Sequence, residues 1–227
     1  MTRTIRLIAA SLAAIGLALP LAAHAAQGFG LYVGAQGGYS EVGISQSDWD
    51  AAALAAFSAA GGTLTSTSVD KGATPWGVNA GFQLMRFFAI EAAYYDLGKA
   101  KATADGTVLN GDVTVPVHVA GDFQSSGPAL AVIGIIPLGH LSIDGRVGAY
   151  YGDTKATFTA TSNGVSSSTS ASKSTATAMG GVGLAWIFND YFSLRLDYLY
   201  FDKVGDKNTT GTANVNVGTL GFRFHFL

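Results

Sequence analysis

The alternation of apolar and polar residues at the end of the chain is the strongest constraint on the fold. In an extended strand, side chains two apart share a face. One face of the last stretch carries Leu220, Phe222, Phe224 and Phe226, and the other carries Thr219, Gly221, Arg223 and His225. The end of a soluble domain usually frays in water, which favours polar residues there. A strand with one such apolar face instead predicts contact with lipid.

The first 25 residues have the pattern of a secretory signal peptide. Arg3 and Arg6 form a basic start, the apolar run Leu7–Leu19 has 13 residues, and Ala23-His24-Ala25 forms a cleavage site. A spanning helix needs about 20 apolar residues, so this run is too short to act as an anchor. We therefore expect residues 1–25 to be removed and residues 26–227 to form one exported domain.

The composition indicates that the apolar residues are dispersed along the chain rather than gathered in long runs. Mean hydropathy is +0.31, yet only 12% of residues are charged, against about 25% in a typical soluble domain. No second long apolar run follows residue 25, so the expected mature chain has no transmembrane helix. There are no cysteines, and the net charge of −2 argues against a nucleic-acid partner.

Alternation recurs in six further stretches, and a seventh, 127–137, is apolar on both faces. The predicted strands span about 28–40, 74–84, 87–97, 127–137, 141–151, 177–188, 191–201 and 216–227. Three short turns, at 85–86, 138–140 and 189–190, alternate with four long connections, at 41–73, 98–126, 152–176 and 202–213. Short turns on one side, long loops on the other and an even strand count are typical of outer-membrane barrels. The sequence therefore predicts an all-β fold, an eight-stranded antiparallel transmembrane up-and-down β-barrel in which strand eight pairs with strand one.

The long connections carry their own signals. In the first, Ser47 can cap a helix whose third position is Asp50, a capping-box-like start, and Gly61-Gly62 can end it. This predicts a short helix over about 48–60 that either presents a contact surface or covers the barrel mouth. The second alternates valines with polar residues at 113–119, which predicts a hairpin that continues beyond the membrane. The third is nearly all Ser, Thr, Ala, Asn and Gly, and we expect it to be mobile.

Several short motifs resemble those of the OmpA/OmpX/opacity-protein superfamily of small outer-membrane barrels. They include Leu31-Tyr32-Val33-Gly34-Ala35, the stretch 88–98, Arg195-Leu196-Asp197-Tyr198 and Gly221-Phe222-Arg223-Phe224. The resemblance implies a monomer in the cell outer membrane, in contact with lipid and lipopolysaccharide and inserted by the outer-membrane assembly machinery. It also implies an assembly signal in the last strand, formed by Leu220, Phe222, Phe224, Phe226 and Leu227. The family's signal usually ends in an aromatic residue, so the pattern here is offset by one position.

Charged residues fall on the polar faces of the predicted strands. The set is Glu91, Asp144, Arg146, Arg195, Asp197 and Arg223. An eight-stranded barrel is just wide enough for side chains to fill it, and a buried charge requires a partner. These residues therefore predict a structural ion-paired plug. The alternative is a narrow ion path gated by exchange of ion-pair partners, as has been suggested for interior pairs in the OmpA family.

The sequence offers no catalytic, cofactor or metal constellation. No Ser/His/Asp arrangement lies on a plausible outer strand, and a weak metal site at His118 with Asp112 and Asp122 is a minor alternative. We expect a non-enzymatic barrel with a structural or surface-interaction role through its long loops. A narrow pore or conduit for ions or small hydrophobic molecules is the second hypothesis, and a soluble lipocalin-like barrel is a remote one.

Overall fold

A computed structural model describes residues 30–110 and 113–226. In chain order the elements are β1 (Gly30–Val42), α1 (Gln46–Ala59), β2 (Thr63–Asp70), β3 (Gly72–Ala73), β4 (Trp76–Met85), β5 (Phe88–Asn110), β6 (Val113–Leu138), β7 (Leu141–Ser162), β8 (Val165–Ile187), β9 (Phe192–Asp206) and β10 (Gly211–Phe226). The predicted signal peptide and Leu227 lie outside the described residues. Within those residues, no helix has the length and apolar character needed to cross a bilayer.

Eight of these strands close into an antiparallel ring. β1 pairs with β4, the strands from β4 to β10 pair in chain order, and β10 returns to β1. The closing seam runs from Leu31 opposite Phe226 to Val42 opposite Val215. Closure gives the backbone N–H and C=O groups of every ring strand a partner on both sides, as hydrocarbon surroundings require. The predicted eight-stranded barrel, including the pairing of its first and last strands, is confirmed.

The predicted alternation of inward and outward residues is also present. On β7, Arg146 is 3% exposed whereas the next residue, Val147, is 69% exposed. Large apolar side chains cover the outside of the ring, among them Val33, Phe82, Leu130, Val147, Val182, Leu196 and Phe222. Such an outer surface is suited to lipid and unsuited to water.

The strands at one end of the ring are joined by short turns, as predicted. These turns connect β4 to β5, β6 to β7 and β8 to β9. At the opposite end four strands continue well past the ring and form a sheet extension, comprising residues 99–110 of β5, 113–126 of β6, 152–162 of β7 and 165–178 of β8. The predicted hairpin within 98–126 is therefore confirmed.

The prediction of a long connection without regular structure at residues 152–176 is wrong, because these residues continue strands β7 and β8. β7 and β8 pair continuously from Leu141 opposite Trp186 to Ser162 opposite Val165. Asn163 and Gly164 form the two-residue turn, with φ of 50° and 78°. Positive φ at both positions gives a turn whose twist matches that of the flanking strands, and Asn-Gly is its preferred sequence. The connection predicted at 202–213 is likewise shorter in the structure and spans only 207–210, because β9 and β10 extend into the predicted range.

The helix predicted in the first long connection is present but begins earlier than expected. Ser45, not Ser47, is the N-cap, and its side chain accepts the N–H of Asp48 at 3.4 Å. Ser47 lies inside the first helical turn and therefore cannot cap it. Trp49 Nε1 donates to the carbonyl of Thr103 at 2.9 Å, and the buried ring of Phe57 packs in one cluster with Ala104. The helix therefore packs on the inward-facing side of the sheet extension.

Candidate functional site: the barrel interior and an open sheet edge

The six predicted interior residues come together in one ion-paired cluster. Glu91 lies on β5, Asp144 and Arg146 lie on β7, Arg195 and Asp197 lie on β9, and Arg223 lies on β10. Each is at most 6% exposed. The three carboxylates balance the three guanidinium groups, so the enclosed set is formally neutral. Neutrality offsets much of the desolvation cost that an isolated buried charge would carry.

Glu91 bridges two arginines. Its Oε1 is 3.0 Å from Arg146 Nη1, and its Oε2 is 2.8 Å from Arg223 Nη2. The hydroxyl of Tyr32 and the amide Nδ2 of Asn79 also donate to Oε2, at 2.9 Å and 2.7 Å. Strands β1, β4, β5, β7 and β10 therefore meet at a single carboxylate.

The other two acids share the remaining arginines. Asp197 accepts from Arg195 Nε at 3.2 Å and from Arg146 Nη2 at 3.1 Å. Asp144 lies 2.8 Å from Arg195 Nη2 and 3.6 Å from Arg146 Nη2. Because Arg146 contacts all three acids, it connects the Glu91 group with the Asp144–Asp197 group.

Several members of this cluster were not predicted from the sequence. The guanidinium of Arg223 lies over the ring of Tyr32, 3.8 Å from its centroid, and Arg146 Nη1 donates to the hydroxyl of Tyr95 at 3.3 Å. Gly183 leaves the space that the charges occupy, since a Cβ there would overlap Asp197 Oδ1 and lie 2.9 Å from both Arg195 Nη2 and Asp144 Oδ1. Tyr32, Tyr95 and Gly183 lie on the polar faces of their predicted strands, and that position was the sequence signal that could have placed them in the interior.

An apolar layer fills the ring on the long-loop side of the charges. Tyr150, Leu199 and Phe201 are each 0% exposed. Phe201 packs edge-on against Tyr150 and Tyr95, with ring centroids 5.1 Å and 5.7 Å apart. Val42, Val204, Val215 and Val217 belong to the same cluster. Between the ion pairs and the open end, the interior is therefore occupied by packed side chains.

The edge of β8 within the sheet extension has no backbone partner among the described residues. Pairing of β8 with β9 runs from Ile187 to Met179 and stops there. Thr175 Oγ1 still reaches the carbonyl of Gly205 at 3.3 Å, so the open edge consists of residues 165–174. Every side chain in it except the half-buried Ala171 is exposed.

The last strand presents its phenylalanines to the outside and to one another. Leu220 and Phe222 are 54% and 63% exposed. The ring of Phe224 lies 5.0 Å from that of Phe226 and 5.1 Å from that of Phe192 on the neighbouring strand. The aromatic cluster thus lies beside the seam between β10 and β1, at the short-turn end of the ring.

The metal site considered at His118 includes Asp112, which lies outside the described residues. His118 Nδ1 lies 2.6 Å from Asp105 Oδ1, a partner that the sequence did not suggest, and both side chains are about half exposed. No group of three or more potential metal-ligating His, Cys, Asp or Glu side chains occurs in residues 30–110 and 113–226.

A closed ring of eight antiparallel strands, apolar outside and ion-paired inside, defines an integral β-barrel protein of the cell outer membrane. The sequence pattern of the OmpA-like transmembrane domain matches residues 27–227. The chain belongs to that family. The resemblance to OmpA-type barrels seen in the short motifs is thereby confirmed.

Solved outer-membrane barrels align with nearly the whole chain at low identity. Ail, the attachment invasion locus protein of Yersinia pestis, is 16% identical, with 86% of this chain and 98% of Ail covered and a TM-score of 0.45. OprG from Pseudomonas aeruginosa is 11% identical, with coverages of 88% and 97% and a TM-score of 0.47. The outer-membrane protease OmpT from Escherichia coli is 8% identical, with coverages of 88% and 99% and a TM-score of 0.45. No curated protein matches the sequence.

Proposed function

We propose that this chain is a non-enzymatic surface-interaction barrel that holds a β-sheet outside the outer membrane and binds extended polypeptides along the open edge of β8. The observation that carries this proposal is the unpaired edge at residues 165–174. An exposed edge offers a row of free N–H and C=O groups, which is a template for a further strand.

The turn between β7 and β8 indicates which residues of β8 have backbone N–H and C=O groups free to pair with a further strand. A two-residue hairpin turn is closed by a hydrogen-bonded pair, here Ser162 and Val165. Hydrogen-bonded and non-hydrogen-bonded pairs then alternate along an antiparallel ladder. Val165, Ser167, Thr169 and Ala171 therefore bond to β7, whereas the backbone groups of Ser166, Ser168, Ser170 and Ser172 point away from it.

The edge lacks the usual devices that prevent strand addition. Natural edge strands are commonly protected by prolines, bulges or several charges. Residues 165–174 contain no proline and a single charged side chain, Lys173, and the pairing with β7 shows no register shift. Ten residues at about 3.3 Å each give an open edge roughly 33 Å long. An extended segment of a partner protein fits this edge. The side chains of the edge strand are mostly small hydroxyls, so they leave room for the side chains of the partner segment.

The filled interior favours this role over the pore. A conducting path would have to pass the apolar layer of Tyr150, Leu199 and Phe201, all of them fully buried. We propose that the ion-paired cluster below that layer is a structural plug that connects strands across the ring. We also propose that the protein is a monomer and that Leu220, Phe222, Phe224, Phe226 and Leu227 form the signal read by the assembly machinery.

The experiment that tests the edge is selection of a random 12-residue peptide library against the barrel in nanodiscs, followed by binding measurements with two variants. Ser170→Pro removes an N–H that points to the open side, a position where an edge strand accepts proline. Ser170→Ala removes only the hydroxyl. We expect selected peptides to bind the wild type and Ser170→Ala equally, and to bind Ser170→Pro at least tenfold more weakly.

The folded state of each variant is checked by heat-modifiable mobility on a gel. Thr169→Pro serves as a second control, because it removes an N–H that bonds to β7 and should open the hairpin itself. Two results would contradict the proposal: no peptide enriched above empty nanodiscs, or binding that Ser170→Pro leaves unchanged.

A further inference from the structure

The inward face of the sheet extension carries an aromatic side chain beside the open edge of β8. Phe158 on β7 is the only aromatic residue in 152–178. It lies on the same face of β7 as the buried Ala156, yet its own side chain is 49% exposed. The residue opposite it on β8 is Thr169. A single strand therefore separates Phe158 from the open edge.

The ring of Phe158 is held in place by the helix. It stacks on Trp49 of α1, with ring centroids 6.4 Å apart and ring planes 8° apart. Trp49 is itself fixed by the hydrogen bond from its Nε1 to the carbonyl of Thr103. Gly121 on β6 gives both rings room, since a Cβ there would lie 3.2 Å from Phe158 and 3.3 Å from Trp49. Phe158 therefore leans toward α1 and presents its other face to the side of β8.

The strand between Phe158 and the open edge has small side chains on this face. They belong to Ser167, Thr169 and Ala171, which lie opposite the inward-facing residues of β7. The apolar residues of β5 and β6 on the same face pack in one cluster with α1, whereas half of Phe158 stays exposed. The small residues of β8 thus leave a space above them, and the open face of Phe158 bounds that space.

A strand added to the edge brings its own side chains into this space. Thr169 and Phe158 form a hydrogen-bonded pair, in which Cα atoms are about 5.5 Å apart. The backbone groups of Ser168 and Ser170 face the edge, so an antiparallel strand meets Thr169 in a non-hydrogen-bonded pair, with Cα atoms about 4.5 Å apart. The partner residue then lies about 10 Å from Phe158 in the same row and on the same face. A ring at that position can cross above Thr169 and meet Phe158 at a centroid distance of about 5–7 Å.

We infer that Phe158 selects the sequence of the bound segment, and that the edge of β8 takes extended antiparallel peptides with Phe, Tyr or Trp opposite Thr169. This specificity rests on the proposed function of the edge. Backbone hydrogen bonds hold any extended segment, whereas a space for one side chain distinguishes among segments. Aromatic side chains suit that space because they bury a large area and pair favourably with another ring.

The test uses a peptide selected on the barrel in nanodiscs and a derivative in which its aromatic residue is replaced by alanine. The derivative should bind the wild type about tenfold more weakly, and Phe158→Ala should weaken the parent peptide by a similar factor. Phe158→Ala should leave the affinity of the derivative unchanged, because the contact is already absent. Thr159→Ala is the matched control. It alters the next residue, on the outer face of β7, and should bind both peptides as the wild type does.

The coupling between the two replacements separates a direct contact from a loss of structure. If Phe158 only supported α1, Phe158→Ala would weaken both peptides equally, and that result would overturn the inference. Selected peptides without a shared aromatic position would overturn it as well. In both cases the edge itself stands if Ser170→Pro still weakens binding. A library that yields no binding peptide would overturn the edge and its specificity together.

Discussion

Replacing Glu91 by alanine tests the interior ion-paired cluster most sharply. The variant removes the only carboxylate within 4.0 Å of Arg223 among the described residues, and it removes the acceptor for Tyr32 and Asn79. Arg146 keeps Asp197 at 3.1 Å, but the enclosed set gains one net positive charge. Breaking a buried pair from one side costs about 3–5 kcal/mol, because the remaining charge stays desolvated. We expect Glu91→Ala to lower the free energy of unfolding by that amount.

The assay is urea unfolding in lipid vesicles, followed by tryptophan fluorescence. Trp76 and Trp186 are about half exposed on the outer surface, so both leave lipid when the barrel unfolds. Glu41→Ala is the control, since Glu41 lies on the exposed face of β1 outside the cluster, and it should change stability by less than about 0.5 kcal/mol.

A double variant separates the uncompensated charge from the lost contacts. Glu91→Ala combined with Arg223→Met restores neutrality and keeps an apolar side chain against the Tyr32 ring. It should recover about 2 kcal/mol of the loss. The reasoning is refuted if Glu91→Ala unfolds within about 0.5 kcal/mol of the wild type, or if the double variant is less stable than the single one.

Two further predictions concern the barrel interior. Gly183→Ala should destabilise the barrel by about 1–3 kcal/mol in the same urea assay, because its Cβ would overlap Asp197. Gly145→Ala is the control and should be neutral, since its Cβ would have no neighbour within 4 Å. Equal effects of the two variants would count against the packed cluster. In planar bilayers the purified wild type should show no stable conductance steps, because the layer around Phe201 fills the ring; defined steps that disappear in Arg195→Ala would support the pore instead.

The faces of the ring strands could be read from the sequence because a strand repeats every two residues. Alternation alone placed Asp144 and Arg146 inside and Val147 outside. The partners of the charges could not be read in the same way. The bond between Arg223 and Glu91 joins residues 132 positions apart, so it depends on the register of the closing seam. Nor does the sequence show how much space Gly183 leaves among the charged side chains.

The open edge was missed because its strand lacks the hydrophobic pattern on which strand prediction relies. Residues 165–174 are mostly small and polar on both faces, which suggested a mobile loop. A local signal was nevertheless present. Asn163-Gly164 is a preferred sequence for a two-residue hairpin turn, and β-branched Thr157, Thr159 and Thr161 precede it. Turn chemistry, rather than hydrophobicity, would have predicted this hairpin.

Single-cysteine labelling measures directly whether the sheet extension lies outside the cell and the short turns face the periplasm. The chain has no cysteine, so Ser170→Cys in the sheet extension and His140→Cys at a short turn each provide a unique site. A membrane-impermeant maleimide should label Ser170→Cys on intact cells, and should label His140→Cys only after the outer membrane is permeabilised. Labelling of His140→Cys on intact cells, with Ser170→Cys protected, would contradict the account.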